Sequence, residues 1–416
     1  MSTRRDGHRP RRRPWRAATG ALATLTFLAA ATTGCGTGSA TKSSNKSPGP
    51  SASATATGAS LPTSMETSAG SWAVFPMGRL GQPLNTFWQL FFRPSGGSRW
   101  SDKASALAVA TNGGLVIATP DSHSVAVGIR STDALSFSPL LVTLDAGRSW
   151  SPAAPVAALA AEPDALAVDP GGRALALATN GSGGEVLASS AGLASWSQVT
   201  TTSGLGASSA GRACGLASMT AVGWVAGHSV IGGDCRRAGV VGIFTGPQGG
   251  WHLAGPTLPV SLAHGSIGVL GLQRTTSGLC ALLAVSAARG TSLVAAWVTA
   301  GSGTWSVSPA LQIGSKRVLS FGPDGRMGLF VLSSGSTPSR STSFDSVEVL
   351  SGAGAAWRGL PTAPAHTATM VFGAAGRVDA LVVEDTVFTD WGLAPATGRW
   401  TREQVMNVPI QFGSSS

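Results

Sequence analysis

Seven tryptophans, Trp100, Trp150, Trp196, Trp251, Trp305, Trp357 and Trp400, each follow a short and mostly glycine-rich turn. They recur at intervals of 43 to 55 residues, with apolar runs of strand length between them. A strand repeat of that period predicts sheets arranged around an axis, because one such unit cannot bury its faces alone. The expectation is an all-β chain: a seven-bladed β-propeller of four-stranded antiparallel blades, with six or eight blades as alternatives. Abundant glycine (56 residues) agrees, since it suits tight turns and weakens helices.

A second landmark precedes some of these tryptophans. Residues 165–168 and 174–178 flank Asp169-Pro170-Gly171-Gly172-Arg173, a hairpin turn in which Pro sets φ and Gly accepts a positive φ. The device returns as Gly322-Pro323-Asp324-Gly325-Arg326 and, more loosely, as Gly373-Ala374-Ala375-Gly376-Arg377. An early Gly-Arg turn and a late Trp turn predict a blade with hairpin A–B, strand C, the Trp turn and strand D. In the second unit Ser105–Val109, Leu115–Thr119, Ser124–Ile129 and Pro139–Leu144 read as strands. The first unit offers only Trp72–Phe75 and Asn85–Phe92, so residues 405–412 are expected to pair with it and close the ring.

Net charge is +10, but residues 1–16 carry seven arginines against Asp6, which leaves the remainder only four charges positive. That balance gives no electrostatic footprint for nucleic acid, and no nucleic acid partner is expected. The basic stretch ends at Arg16, and Ala17 to Ala31 form an apolar run too short to span a bilayer. Together they read as an export signal. Thr32-Thr33-Gly34-Cys35 follows and resembles a bacterial lipobox, with Thr32 where that pattern usually has an aliphatic residue. The resemblance implies that Cys35 is diacylated and becomes the mature N-terminus. The other reading is an ordinary secretory signal cleaved nearby, giving a secreted protein. Arg12-Arg13-Pro14-Trp15 resembles a twin-arginine signal, so the export route stays open. Residues 36–70 are almost entirely Gly, Ser, Thr, Ala and Pro and read as a flexible tether. The expected organisation is therefore signal 1–35, tether 36–70 and propeller 71–416, a monomer held on the outer face of the cytoplasmic membrane.

Among the Trp turns, Thr143-Leu144-Asp145-Ala146-Gly147-Arg148-Ser149-Trp150 is the fullest. It resembles the Asp-box, or BNR repeat, of the sialidase-type propeller superfamily, Ser/Thr-x-Asp-x-Gly-x-Thr/Ser-Trp, and matches every defined position. In that superfamily the box is structural and lies away from the ligand face. The resemblance thus implies structural roles for Thr143, Asp145, Gly147, Ser149 and Trp150.

Sialidase-type chemistry also needs a Tyr nucleophile, and this chain has no Tyr. Phe92-Arg93-Pro94 resembles the Phe-Arg-Ile-Pro motif of sialidases without its Ile, and Arg93 reads as decorating a strand end. Other glycosidases need two carboxylates flanking the scissile bond. Asp145, Asp169, Asp234 and Asp324 have turn-like settings. Glu384-Asp385 and Glu162-Pro163-Asp164 are the densest acidic pairs, but neighbours on a strand point opposite ways. Gly227-His228-Ser229-Val230-Ile231 lacks the closing Gly of a nucleophile elbow. The six His show no metal-ligand spacing, and no dinucleotide or phosphate-loop pattern is present. No catalytic residue, cofactor or metal is assigned.

Cysteine is more specific. Cys214–Val222 and His228–Cys235 read as successive strands of a hairpin, which places the start of the first beside the end of the second. Export to an oxidising compartment then predicts a Cys214–Cys235 disulfide. Cys280 opens the apolar run Leu279–Val285 and reads as an unpaired core thiol. The expected function is a non-enzymatic, membrane-anchored scaffold that binds an envelope protein or a cell-wall glycan on its D–A and B–C loops. A glycan hydrolase with two carboxylates converging on the channel is the alternative, and a structural spacer is a third reading.

Overall fold

The computed structural model describes residues 63–78, 86–103, 114–119, 124–130, 140–152, 163–180, 183–193, 195–246, 250–288, 290–324, 327–335, 346–352, 354–372, 377–394 and 397–409. The export signal with Cys35, the segment 36–62, the run Ser105–Val109, Glu162 and residues 410–412 lie outside them.

Seven antiparallel sheets follow one another along the chain, each with its strands in sequential order. Sheet one holds β1 (Ser64–Thr67), β2 (Gly70–Gly78), β3 (Thr86–Pro94) and β4 (Ser101–Asp102). Sheet two holds β5 (Gly114–Ala118), β6 (Val125–Arg130), β7 (Leu140–Thr143) and β8 (Ser151–Pro152); sheet three holds β9 (Ala165–Val168), β10 (Ala174–Asn180), β11 (Gly183–Ser189) and β12 (Trp196–Thr201). Sheet four holds β13 (Leu216–Val225), β14 (His228–Cys235), β15 (Gly242–Gly246) and β16 (His252–Leu253). Sheet five holds β17 (Ser266–Arg274), β18 (Gly278–Ala287), β19 (Gly290–Thr299) and β20 (Trp305–Val307), with β21 (Leu311–Gly314) also pairing β19. Sheet six holds β22 (Arg317–Pro323), β23 (Leu329–Ser334), β24 (Ser346–Leu350) and β25 (Arg358–Gly359). Sheet seven holds β26 (Thr367–Phe372), β27 (Val378–Glu384), β28 (Val387–Ala394) and β29 (Arg399–Asn407). The fold is a seven-bladed β-propeller, as the tryptophan spacing predicts.

Alternation explains why the strands are apolar on both faces. In β23, Leu329 and Val331 face sheet five, whereas Phe330 and Leu332 face sheet seven. In β2, Trp72 and Val74 face sheet two, whereas Ala73, Phe75 and Met77 face sheet seven. Each recurrent tryptophan stands at its C–D turn and packs into the core shared with the preceding blade. Three of them also donate their indole N–H to a backbone carbonyl of the preceding blade: Trp305 to Ala254 (2.5 Å), Trp357 to Pro309 (2.8 Å) and Trp400 to Thr362 (3.0 Å). The periodic mark in the sequence is thus an interblade clamp.

Ring closure differs from the expectation. β29 is the outer strand of sheet seven, and the described part of 405–412 pairs with nothing in sheet one. Sheet one needs no borrowed strand because it has four of its own, of which β1 and β4 are short and polar and left no apolar signal. Strand β1 also starts the propeller inside the segment assigned to the tether. Backbone pairing with β2 holds it, together with the buried Thr63 hydroxyl, which lies 2.5 Å from that of Ser320 and 2.7 Å from that of Thr369. Side chains from sheet seven reach sheet one instead: Gln404 accepts from the Trp100 N–H (2.7 Å) and donates to its carbonyl (3.0 Å).

The Thr143–Trp150 turn closes on its own side chains. Asp145 Oδ1 accepts from the backbone N–H of Arg148 (3.0 Å) and Ser149 (2.9 Å), and Oδ2 accepts from Ser149 Oγ (2.6 Å). Thr143 Oγ1 donates to Asp145 and accepts from the Gly147 N–H. These bonds, Ser149 foremost, hold the Asp145 carboxyl well below the usual range. Gly147 has φ of 77°, and a Cβ there would lie 3.1 Å from the Trp72 ring.

Cys214 and Cys235 are bonded, with Cα atoms 5.1 Å apart. Cys214 does not open a strand, however. It ends α2 (Ser209–Cys214), which follows α1 (Thr202–Ala207) between sheets three and four. Glycines hide these helices in the sequence; the hydroxyls of Thr201 and Ser208 cap them by accepting from Gly204 and Gly211 N–H. Cys280 is free and fully buried.

Candidate functional site

Two larger cavities, of about 440 and 390 Å³, open on the side of the A–B and C–D turns rather than among the D–A and B–C loops. The smaller lies at the seam between sheets one and seven. Arg93 is 6% exposed there, and Asp379 and Asp390 are fully buried. Arg93 Nη1 donates to Asp379 Oδ2 (2.5 Å) and lies 3.8 Å from Asp390, with its guanidinium over the Trp100 ring. Arg377 donates to Asp379 Oδ1 (2.5 Å) and to Glu403. Arg93 does stand at the end of β3, next to Pro94, but the seventh sheet covers it.

Both oxygens of Asp379 hold a guanidinium, so neither is free to act as base or nucleophile. Asp390 accepts from Trp100 Nε1 (3.2 Å) through Oδ2, while its Oδ1 has no partner. Burial, and then the neighbouring Asp379, push the Asp390 carboxyl up to about 7 against the opposing pull of Arg93 and Arg377. Glu66 accepts from Ser71 Oγ (2.9 Å), and burial pushes it up to about 8. These two carboxyls keep their protons in the folded protein at pH values where the unfolded chain has lost them. Their contribution to stability is full at about pH 4 and below, falls as pH rises towards 8, and levels off above. Urea midpoints between pH 4 and 9 should show that slope, and Asp390→Asn should reduce it while Glu66 maintains the rest.

Several other carboxylates hold local structure. Asp169 takes the Arg173 N–H (2.8 Å) and guanidinium (2.6 Å) in its A–B turn, and Asp164 takes Thr179. Asp234 lies within β14, not in a turn, and accepts from Ser218 Oγ (2.8 Å). Asp324 accepts from the Gly328 N–H (2.9 Å). Asp385 sits in the B–C turn of sheet seven at φ of 51°, where its carbonyl accepts from the Gly78 N–H. His228 is exposed at the start of β14, and the buried Ser229 donates to the Gly246 carbonyl, so this stretch is a hairpin and not a nucleophile elbow. Among the described residues no cluster of three His, Cys, Asp or Glu is placed to hold a metal.

The larger cavity is a wedge between sheets four and five. Its floor is apolar: Val230, Ile243, Leu279 and Val298 are all buried. Trp305 forms one wall, fixed by its bond to Ala254, and His228 and His252 stand exposed at the mouth. This is the geometry of a small binding site, with a dry floor and a few polar groups at the opening. Sequence reasoning missed it because part of the space is left by Gly301 and Gly303, where a Cβ would meet nothing within 4 Å.

No protein-family model matches the chain, and no curated protein matches it. Solved structures with similarity include a provisional 6-phosphogluconolactonase from Bacteroides uniformis, at 13% identity and a TM-score of 0.49 over 80% of this chain and 96% of that one. A protein from Lactobacillus plantarum is similar at 10% identity and 0.49, over 81% and 96%. The GH74 xyloglucanase from Xanthomonas campestris is similar at 13% identity and 0.49, over 80% of this chain and 52% of that one.

Proposed function

We propose that this chain is an exported propeller, anchored through a lipid on Cys35, that binds its ligand without transforming it. The supporting observation is the division of labour among its polar groups. Asp145, Asp169 and Asp324 are committed to turns and Asp379 to the seam, whereas the wedge between sheets four and five presents an apolar floor beneath two exposed imidazoles. A binding scaffold on the outer face of the cytoplasmic membrane needs no more than that. The self-closed Thr143–Trp150 turn supports reading the chain as a divergent Asp-box propeller. The glycan hydrolase remains the competing reading, because Glu66 and Asp379 line one cavity.

Two measurements on the full chain test this. Wild type should fractionate with membranes and Cys35→Ser should be released; wild type found free of the membrane would contradict anchoring. Sialosides, xyloglucan and chitin oligomers should remain uncleaved. Cleavage that disappears in Glu66→Gln would establish the hydrolase instead.

A further inference from the structure

We infer that the wedge between sheets four and five receives one large apolar side chain from an acidic peptide segment, an inference that rests on the wedge being the scaffold's binding site. Its floor, Val230, Ile243, Leu279 and Val298, offers nothing to a hydroxyl, so a sugar placed there would lose water without gaining a partner. A phenylalanine or leucine side chain gains by leaving water for the same surface. The polar side chains stand towards the mouth, with Thr245 half-buried and His228, His252 and Thr299 exposed. Val230, Thr245 and His252 are cross-strand partners on β14, β15 and β16, so this imidazole stands in line with the floor on the same face of the sheet. His228, two residues before Val230 on β14, adds a second. Imidazole N–H groups are donors suited to a carboxylate, and no Asp or Glu lines the wedge to compete for them. An acidic residue beside the apolar anchor fits that mouth, and a basic one does not.

Titration of the detergent-solubilised full chain, followed by ligand-observed NMR, provides the test. N-acetyl-phenylalanine should bind, its uncharged amide at least 5-fold more weakly, and N-acetylaspartate at least 10-fold more weakly. Thr299→Trp, at an exposed position of the mouth, should weaken N-acetyl-phenylalanine at least 10-fold with an unchanged melting temperature. The His228→Ala/His252→Ala pair should bind acid and amide equally. Absence of N-acetyl-phenylalanine binding, or binding that Thr299→Trp leaves intact, overturns the proposal. Chitotriose bound in the wedge and displaced by Thr299→Trp also overturns it, while leaving the scaffold reading standing. Membrane release of Cys35→Ser reads the anchoring separately.

Discussion

Replacing Asp379 by alanine is expected to destabilise the protein by about 3–5 kcal/mol, the cost of leaving a buried charge without its partner. Asp379 is fully buried and receives two guanidinium groups, one from its own sheet and one from sheet one. Without it, Arg93, 6% exposed, keeps Asp390, 3.8 Å away, as its ion-pair partner. The damage falls where the ring closes. Among the described residues no strand is exchanged between sheets one and seven; one backbone bond, from the Gly78 N–H to the Asp385 carbonyl, joins them beside the Phe75–Phe91–Phe388 stack, the Trp100–Gln404 pair and this charge cluster. Guanidinium unfolding should show the loss in the midpoint. A change below about 1 kcal/mol would mean that the pair contributes no more than an exposed ion pair does.

Breaking the Cys214–Cys235 bond is expected to cost on the order of 3 kcal/mol, from the chain entropy released by opening a loop of this length. The bond spans 21 residues of sequence and ties α2 to the end of β14. Two one-turn helices rich in glycine have little stability of their own, so the bond and the buried Leu205 hold them to sheet four. The Cys214→Ser/Cys235→Ser pair and reduction of wild type should lower stability alike. Cys280 should not confuse the reduction experiment, since it is fully buried and burial pushes its thiol well above the usual range. Equal stability with and without reductant would count against the bond.

The wheel was legible because its repeat is carried by tryptophan, a residue large enough to mark each interface on its own. The A–B turns were legible at Asp169–Arg173 because proline and glycine constrain the backbone locally. β1 and β4 escaped notice because backbone pairing holds them and their side chains carry no pattern. The seam left a partial signal: Arg93, Asp379 and Asp390 each interrupt an apolar strand run, and a charge in such a place must find a partner. Which partner it finds depends on two strands that lie 286 residues apart meeting at closure, and no local periodicity encodes that. The wedge between sheets four and five was invisible for a different reason, since its walls come from two separate blades and part of its space is left by the glycines of one turn, Gly301 and Gly303.

Buried charges distant in sequence, Arg93 on sheet one and Asp379 on sheet seven, meet where the ring closes. The coupling energy between Arg93 and Asp379 tests this most directly, by unfolding wild type, Arg93→Met, Asp379→Ala and the double variant. Residues in such contact should couple by about 2 kcal/mol or more, the double variant being less destabilised than the two singles added. Additive losses would show that the two side chains do not meet, and the seam described here would be wrong.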